Sequence, residues 1–270
     1  MEEIKGECHF RSLYSKVLGY KGTSLSRNVL EPAAPALRDA LEPLRYLRNP
    51  GPLKADDHSW TLYALSRIND LLLLSFQPVI DKPARVVPVS TEEYARFWAA
   101  LGCELKDPSD FEPFFHEIVS VNQVPTGKPA VDELLWPALL FGEMLLSRAG
   151  ARVSAGIEFI KKDLAEQSVL YFSHRRLHRP TCDGSEGWGS NSQWRTRFRR
   201  DYQTETEWQW NVDGKDDIRG SVASSLLQRD LTAAQRLALL KYRCWVNQKP
   251  SGDDEWFPFT DRYTEQKEEL

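Results

Sequence analysis

The chain has 270 residues, of which 41% are hydrophobic, 27% charged and 11% aromatic, the proportions of a globular protein able to build a full core. Its 35 lysines and arginines against 39 acids leave a net charge of -4, which argues against non-specific nucleic-acid binding. The longest apolar run, Leu71–Leu74 with Ser75 and Phe76, is far short of the roughly 20 residues that cross a bilayer. The start, MEEIKGECHF, is acidic and lacks the apolar stretch of a secretory leader. With a mean hydropathy of -0.50, these features predict a soluble cytoplasmic protein with no membrane partner.

Prolines at 32, 35, 43, 50 and 52 divide the region 30–55 into short helical pieces. A strong helix is expected from about Asp57 to Gln77, capped by Asp56 or Asp57. Trp60, Tyr63, Ala64, Ile68, Leu71 and Leu72 fall on one face of it. Its second half is apolar all round, which predicts a central buried helix stopped by Pro78. Arg85–Val89 reads as strand. Ser90 with Glu93 three residues on forms a capping box for a helix through Leu101, and Gly102 stands where a helix ends.

Phe111–Val119 fits either a short helix or a strand, and Val121–Pro129, with two prolines and a glycine, reads as a loop. Val131–Arg148 is long and apolar, with Trp136, Leu139, Leu140, Met144 and Leu145 available for burial. A short helix is expected over Gly156–Glu166 and a buried strand over Val169–Phe172. After residue 180 the character changes. PTCDGSEGWGSN, residues 180–191, is a loop by composition. From Thr204 to Val212, Trp208 and Trp210 alternate with Gln209 and Asn211, the cleanest period-two pattern in the chain and hence a strand with one buried face. Asp213-Gly214 makes a turn, and a last helix runs from Leu231 to about Val246 with Thr232 as its cap. The predicted class is α+β, helix-rich through the N-terminal two thirds, with a small antiparallel sheet mainly from the C-terminal third. One domain spanning 1–270 is expected, with a subdivision, if any, near 170–180.

Chemistry-bearing residues are sparse. Cys8, Cys103, Cys182 and Cys244 are scattered without a C-x-x-C pair, which predicts reduced thiols and neither a disulfide framework nor a zinc ribbon. His174, His178 and Cys182 have helical metal-ligand spacing, but Pro180 breaks the helix and no fourth ligand is near. No metal or cofactor is therefore predicted. His116-Glu117 and Asp56-Asp57-His58 each offer an acid/base group without a defined partner. The loop Gly184–Ser192 presents Gly187, Gly189, Ser190 and Asn191 as an anion-binding candidate through backbone N–H groups. It lacks the G-x-x-x-x-G-K-[ST] and G-x-G-x-x-G patterns.

Four of the six residues 195–200 are arginine. On a strand, Trp194, Thr196, Phe198 and Arg200 share one face, and Arg195, Arg197 and Arg199 share the other, cationic one. That face is either an anion or partner patch or a stripe neutralised by Asp201, Glu205 and Glu207. An RNA-binding role for these arginines with their interleaved aromatics is the minority alternative, because the chain is acidic. The end of the chain, from Ser251, is acidic and aromatic, with Asp253, Asp254, Glu255 and Trp256 as candidates for contact with a basic protein partner.

Leu145–Gly150 (LLSRAG), Gly187–Tyr202 (GWGSNSQWRTRFRRDY) and Tyr242–Val246 (YRCWV), together with the acidic aromatic end, resemble uncharacterised bacterial proteins encoded beside polymorphic toxins of the Rhs or type VI secretion kind. The resemblance covers mainly residues 130–260. It implies a non-enzymatic cytoplasmic immunity protein that binds and occludes a cognate toxin, and it carries no catalytic residues. The competing expectation is an enzyme or phosphate-binding protein using Gly184–Ser192 and Arg195–Arg200.

Overall fold

A computed structural model of the chain describes residues 3–53, 58–77, 89–166, 198–220, 231–249 and 260–267. Up to residue 100 the described elements are all helical: α1 (Glu3–Gly19), a π-helical turn (Ser26–Leu30), α2 (Glu31–Leu41), a 3₁₀ segment (Glu42–Arg48), α3 (His58–Leu73) and α4 (Thr91–Ala100). The region of the prolines is divided into short helical pieces as expected, with Pro35 accommodated inside α2. Pro32 sits in the first turn of α2 and Pro43 in that of the 3₁₀ segment, where a missing N–H costs nothing. Residues 62–70 of α3 are all buried, as expected of a helix with apolar residues on every side. Its polar members are matched inside, Arg67 with Asp70 at 3.1 Å and Asn69 with the Tyr94 hydroxyl at 2.8 Å. α4 begins and ends as expected: Ser90 and Glu93 make the reciprocal capping box, and Gly102 takes φ +78° just beyond it.

The class is α+β, but the division of the chain differs from the expected one. Strands β1 (Glu104–Lys106), β2 (His116–Val124), β3 (Ala130–Trp136), β4 (Ala138–Phe141), β5 (Met144–Ser147) and β6 (Ala149–Gly156) all precede residue 157. The helix-rich part therefore ends at Ala100 rather than two thirds along. After the short α5 (Lys162–Ala165) come β7 (Asp201–Gln203), β8 (Glu207–Trp210), β9 (Asp216–Asp217), α6 (Ala233–Tyr242) and β10 (Asp261–Gln266).

The sheet is neither small nor wholly antiparallel. Seven strands run in the order β1-β4-β5-β7-β8-β10-β9, and three more in the order β2-β6-β3. β9 with β10, and β2 with β6, are parallel pairs. The loop expected at 121–129 is partly strand, since β2 continues to Val124. There Asn122 donates to Ser154 Oγ and Gln123 to the Ala155 carbonyl, so polar side chains tie β2 to β6. The helix expected over Gly156–Glu166 shrinks to α5.

Two of the chain's passages between the sheets are direct, at Trp136–Ala138 and at Ser147–Ala149. The crossings are tied together by the Trp136 indole N–H donating to the Arg148 carbonyl at 3.0 Å. Helices α1–α4 cover one side of the larger sheet in a core with Tyr63, Trp98, Met144 and Tyr202. On the other side Phe114, Leu145, Trp210 and Leu240 pack together. A third cluster joins the smaller sheet to α5 and to the residues after α6, through Val153, Ile160, Cys244 and Val246. α6 thus lies where both sheets meet, capped by Thr232 and Gln235 in a second reciprocal box.

Candidate functional site

The described members of the arginine stripe, Arg199 and Arg200, lie in the interior. Arg195 and Arg197 lie outside the described residues, but Arg199 and Arg200 are 4% and 1% exposed. The expectation of a cationic outer face fails at Arg199, whose guanidinium grips Asp201. Its Nε donates to Oδ1 at 2.9 Å, its Nη2 to Oδ2 at 2.9 Å, and Nη2 also reaches the Leu240 carbonyl at 2.6 Å. The neutralising acid is the one two positions on, on the same side of the chain.

Asp201 is shared. Arg243 Nη2 approaches its Oδ2 to 2.5 Å, Arg148 Nη2 stands 3.9 Å away, and the Asn211 N–H donates to Oδ1 at 2.8 Å. Burial pushes this carboxyl up, but Arg199, Arg243 and Arg148 together pull it well below the ordinary carboxylate range. Two backbone residues take left-handed conformations to serve the cluster. Arg243 ends α6 at φ +58°, where glycine is usual, and Asn211 follows Trp210 at φ +49°. Arg148, at the crossing between sheets, also donates to the Lys241 carbonyl at 2.6 Å. The four-residue group thus clamps β7, α6 and the inter-sheet crossing to each other.

Arg200 points the other way and grips Asp213 at 2.7 and 2.6 Å, the Tyr202 hydroxyl at 2.9 Å and the Gly51 carbonyl at 2.9 Å. Tyr202 in turn donates to the Leu47 carbonyl at 2.9 Å. These bonds fasten the helical layer to the larger sheet.

Asp253, Asp254, Glu255 and Trp256 lie outside the described residues. Asp261, Tyr263 and Glu265 belong to β10: Tyr263 stacks on Trp210 with centroids 5.8 Å apart, and Glu265 pairs with Lys241 at 2.6 Å. Asp261 is fully buried against Arg236 at 2.7 Å. Burial, with Asp216 nearby and Arg236 opposing, pushes its carboxyl up to about 6.

A free aspartate titrates near 3.9, so between about pH 6 and pH 4 the folded chain takes up a proton at Asp261 that the unfolded chain does not. That uptake favours the native state increasingly as pH falls across this window, and the gain disappears above it. Wild type should therefore gain in melting temperature on Asp261→Asn between pH 7 and pH 4.5. A difference that stays constant with pH would exclude the linkage.

The acid/base candidates are also interior. His116 and Glu117 are 1% and 3% exposed. The Phe111 ring lies between His116, 5.5 Å away, and Tyr242, 6.4 Å away. Burial lowers the His116 imidazole, raises the Glu112 carboxyl and pushes the Tyr242 phenol up to about 12, so all three are held toward their neutral forms. Cys103 and Cys244 are buried thiols, each pushed up to about 12 by that burial.

Gly187, Gly189, Ser190 and Asn191, and with them His174, His178 and Cys182, lie outside the described residues, as do Asp56 and Asp57. Among the described residues, no group of three or more His, Cys, Asp or Glu side chains is placed to hold a metal ion, and no helix is long and apolar enough to cross a membrane.

Two surface features were missed in the sequence. One is a pair of exposed apolar side chains, Ile157 at 55% and Phe159 at 42%, in the connection from β6 to α5. The other is a trough between α2 and α4 lined by arginines. Against protein-family models, curated proteins and solved structures, the chain matches none.

Proposed function

We propose that the chain is a non-enzymatic binding protein of the immunity type, which neutralises a cognate secreted bacterial toxin by occluding it. Its buried arginine–carboxylate clusters, around Asp201 and at Arg200–Asp213, are spent on each other as clamps between layers. The observation that carries the reading is the Ile157–Phe159 pair. Among the described residues only four large apolar side chains are exposed, and two of them stand here, with a single residue between them.

The connection that bears them is held firmly. The Ile160 N–H donates to the Gly156 carbonyl and the Lys161 N–H to the Val246 carbonyl. Asn247 donates to the Glu158 carbonyl at 2.7 Å, and the Gly127 N–H to the Glu158 carboxylate at 3.1 Å. An apolar pair presented on a pinned backbone loses little freedom on binding, and exposed Glu158 and Lys161 adjoin it along the chain. Those are the features of a protein-contact hot spot with a polar surround.

The test is co-expression with the product of the adjacent toxin gene, reading growth rescue and co-elution. Rescue with a stable complex is expected, and Phe159→Asp should weaken that complex by about tenfold or more, since truncating a hot-spot residue costs about 2 kcal/mol or more. Neither rescue nor a complex would overturn the reading.

A further inference from the structure

Between α2 and α4 the surface sinks into two adjoining hollows of about 270 and 260 Å³ that share Arg38 and Ala100. The floor is small or apolar: Ala34, Pro35, Phe97 and Ala100 at one end, Leu41 and Phe141 at the other. The walls carry Arg38, Arg45, Arg48 and Arg96 against two carboxylates, Glu31 and Glu42.

Those carboxylates leave the trough positive. Glu42 pairs with Arg45 at 2.8 Å and Glu31 with Arg96 at 3.4 Å, all four side chains being about half exposed or more. Pairs of that kind contribute about 1 kcal/mol or less and re-form readily with other partners. Arg38 and Arg48 have no carboxylate partner among the described residues. Arg48 is nonetheless held in place: its Nη2 donates to the Gly102 carbonyl at 2.7 Å, its guanidinium lies 4.8 Å over the Phe141 ring, and its Nε is buried without a hydrogen-bond partner. A fixed cation beside mobile ones, above an apolar floor, is a receptor for carboxylates carried on an apolar scaffold.

We propose that this trough docks an acidic, amphipathic segment of a protein partner, with its apolar side chains on the alanine-rich floor and its carboxylates on Arg38, Arg45 and Arg48. The inference rests on the reading of the chain as a protein-binding inhibitor and adds the chemistry of a second contact surface. Three observations favour a polypeptide over a nucleic acid. Glu31 and Glu42 interrupt the cations and would repel a continuous phosphate backbone. The floor offers no exposed aromatic face for a base to stack on, because Phe97 and Phe141 are 4% and 3% exposed. The whole chain is acidic, which disfavours a polyanion at long range but leaves a local patch free to pair with side chains. The small residues Ala34, Ala99 and Ala100 let a helix approach closely, as grooves that take amphipathic helices require.

The probe is a fluorescent peptide of about 14 residues with glutamate and leucine at helical spacing. A peptide with lysine in place of glutamate and a single-stranded oligonucleotide serve as comparisons. Anisotropy should show saturable binding of the acidic peptide that weakens as salt rises from about 50 to about 500 mM. Arg38→Glu with Arg45→Glu should raise its Kd about tenfold or more. Both positions are exposed, so the melting temperature of this variant should be unchanged; if it folds poorly, Arg96→Glu alone gives the same reading. No saturable binding, equal binding of the lysine peptide, preference for the oligonucleotide, or indifference to the reversals would each overturn the proposal. If the complex with the neighbouring toxin forms and the reversals leave it intact, the trough is excluded while the inhibitor reading stands. If no such complex forms with the wild-type chain, it is the inhibitor reading that fails.

Discussion

Asp201→Asn should destabilise the protein by about 3–5 kcal/mol, the usual cost of breaking a buried ion cluster by removing one partner. The single carboxylate is fully buried and answers Arg199, Arg243 and Arg148 together. Without it three guanidinium groups lose the carboxylate they share in the interior. A domain of ordinary stability holds about 5–15 kcal/mol in reserve, so the loss should appear as a large fall in urea midpoint or outright insolubility.

A second substitution makes the cause readable. Adding Arg243→Met to Asp201→Asn removes one stranded charge, and it should recover part of the loss, whereas unrelated damage would add. Acid should act through the same group. The carboxylate is ionised in both folded and unfolded chains above about pH 4, so its contribution is complete there and is lost as pH falls below that value, toward the lower titration of the folded form. Asp261 works in the opposite sense between pH 6 and 4, so acid unfolding should begin only below the Asp261 window. An Asp201→Asn protein that melts within about 1 kcal/mol of wild type would show that the cluster is dispensable.

How much of this was legible in the sequence depended on whether an element keeps one face wet. α4 announces itself through Ser90, Glu93 and Gly102, because caps and turn glycines are local chemistry that needs no partner. β8 is legible as a strand because Trp208 and Trp210 alternate with polar residues, but it is confined to Glu207–Trp210 and Gln209 is partly buried like Trp208, so the single buried face expected over 204–212 is not kept. Residues 138–141 and 144–147 are buried on both faces, so the period disappears and an apolar run of that length reads as well for a helix. Pro137 and Gly142, at the breaks between β3, β4 and β5, were the signals that a long helix does not fit there.

The arginine stripe was half legible. Strand parity puts Arg199 and Asp201 on one side, but parity does not say whether that side meets water or α6, and this is decided by residues forty positions away. The trough illustrates the reverse. Arg38 lies in α2 and Arg45 in the 3₁₀ segment that follows it; what made them a site was the distant α4 laid beside both.

Gly142 is where the hidden part of that arrangement can be tested. It begins the two-residue turn between β4 and β5 at φ +63°, a conformation that side chains rarely accept. A Cβ there would stand 2.7 Å from the Arg48 carbonyl oxygen and 2.9 Å from its Cα, so it meets backbone that cannot swing away. The same carbonyl accepts the Glu143 N–H at 2.7 Å, locking the 3₁₀ segment to the turn. Gly142→Ala should therefore cost about 2–4 kcal/mol, the strain of the conformation adding to an overpacked contact. Gly19→Ala, with nothing near the added carbon, should change stability by less than about 1 kcal/mol. Because the added methyl presses on the residue that fixes the trough's anchoring cation, Gly142→Ala should also weaken acidic-peptide binding at temperatures where the variant remains folded. Stability lost with binding intact would mean that Arg48 holds its place through Gly102 and Phe141 alone. Stability and binding both unchanged would mean that the turn and the 3₁₀ segment part easily, and that the trough owes its shape to α2 and α4 without the sheet behind them.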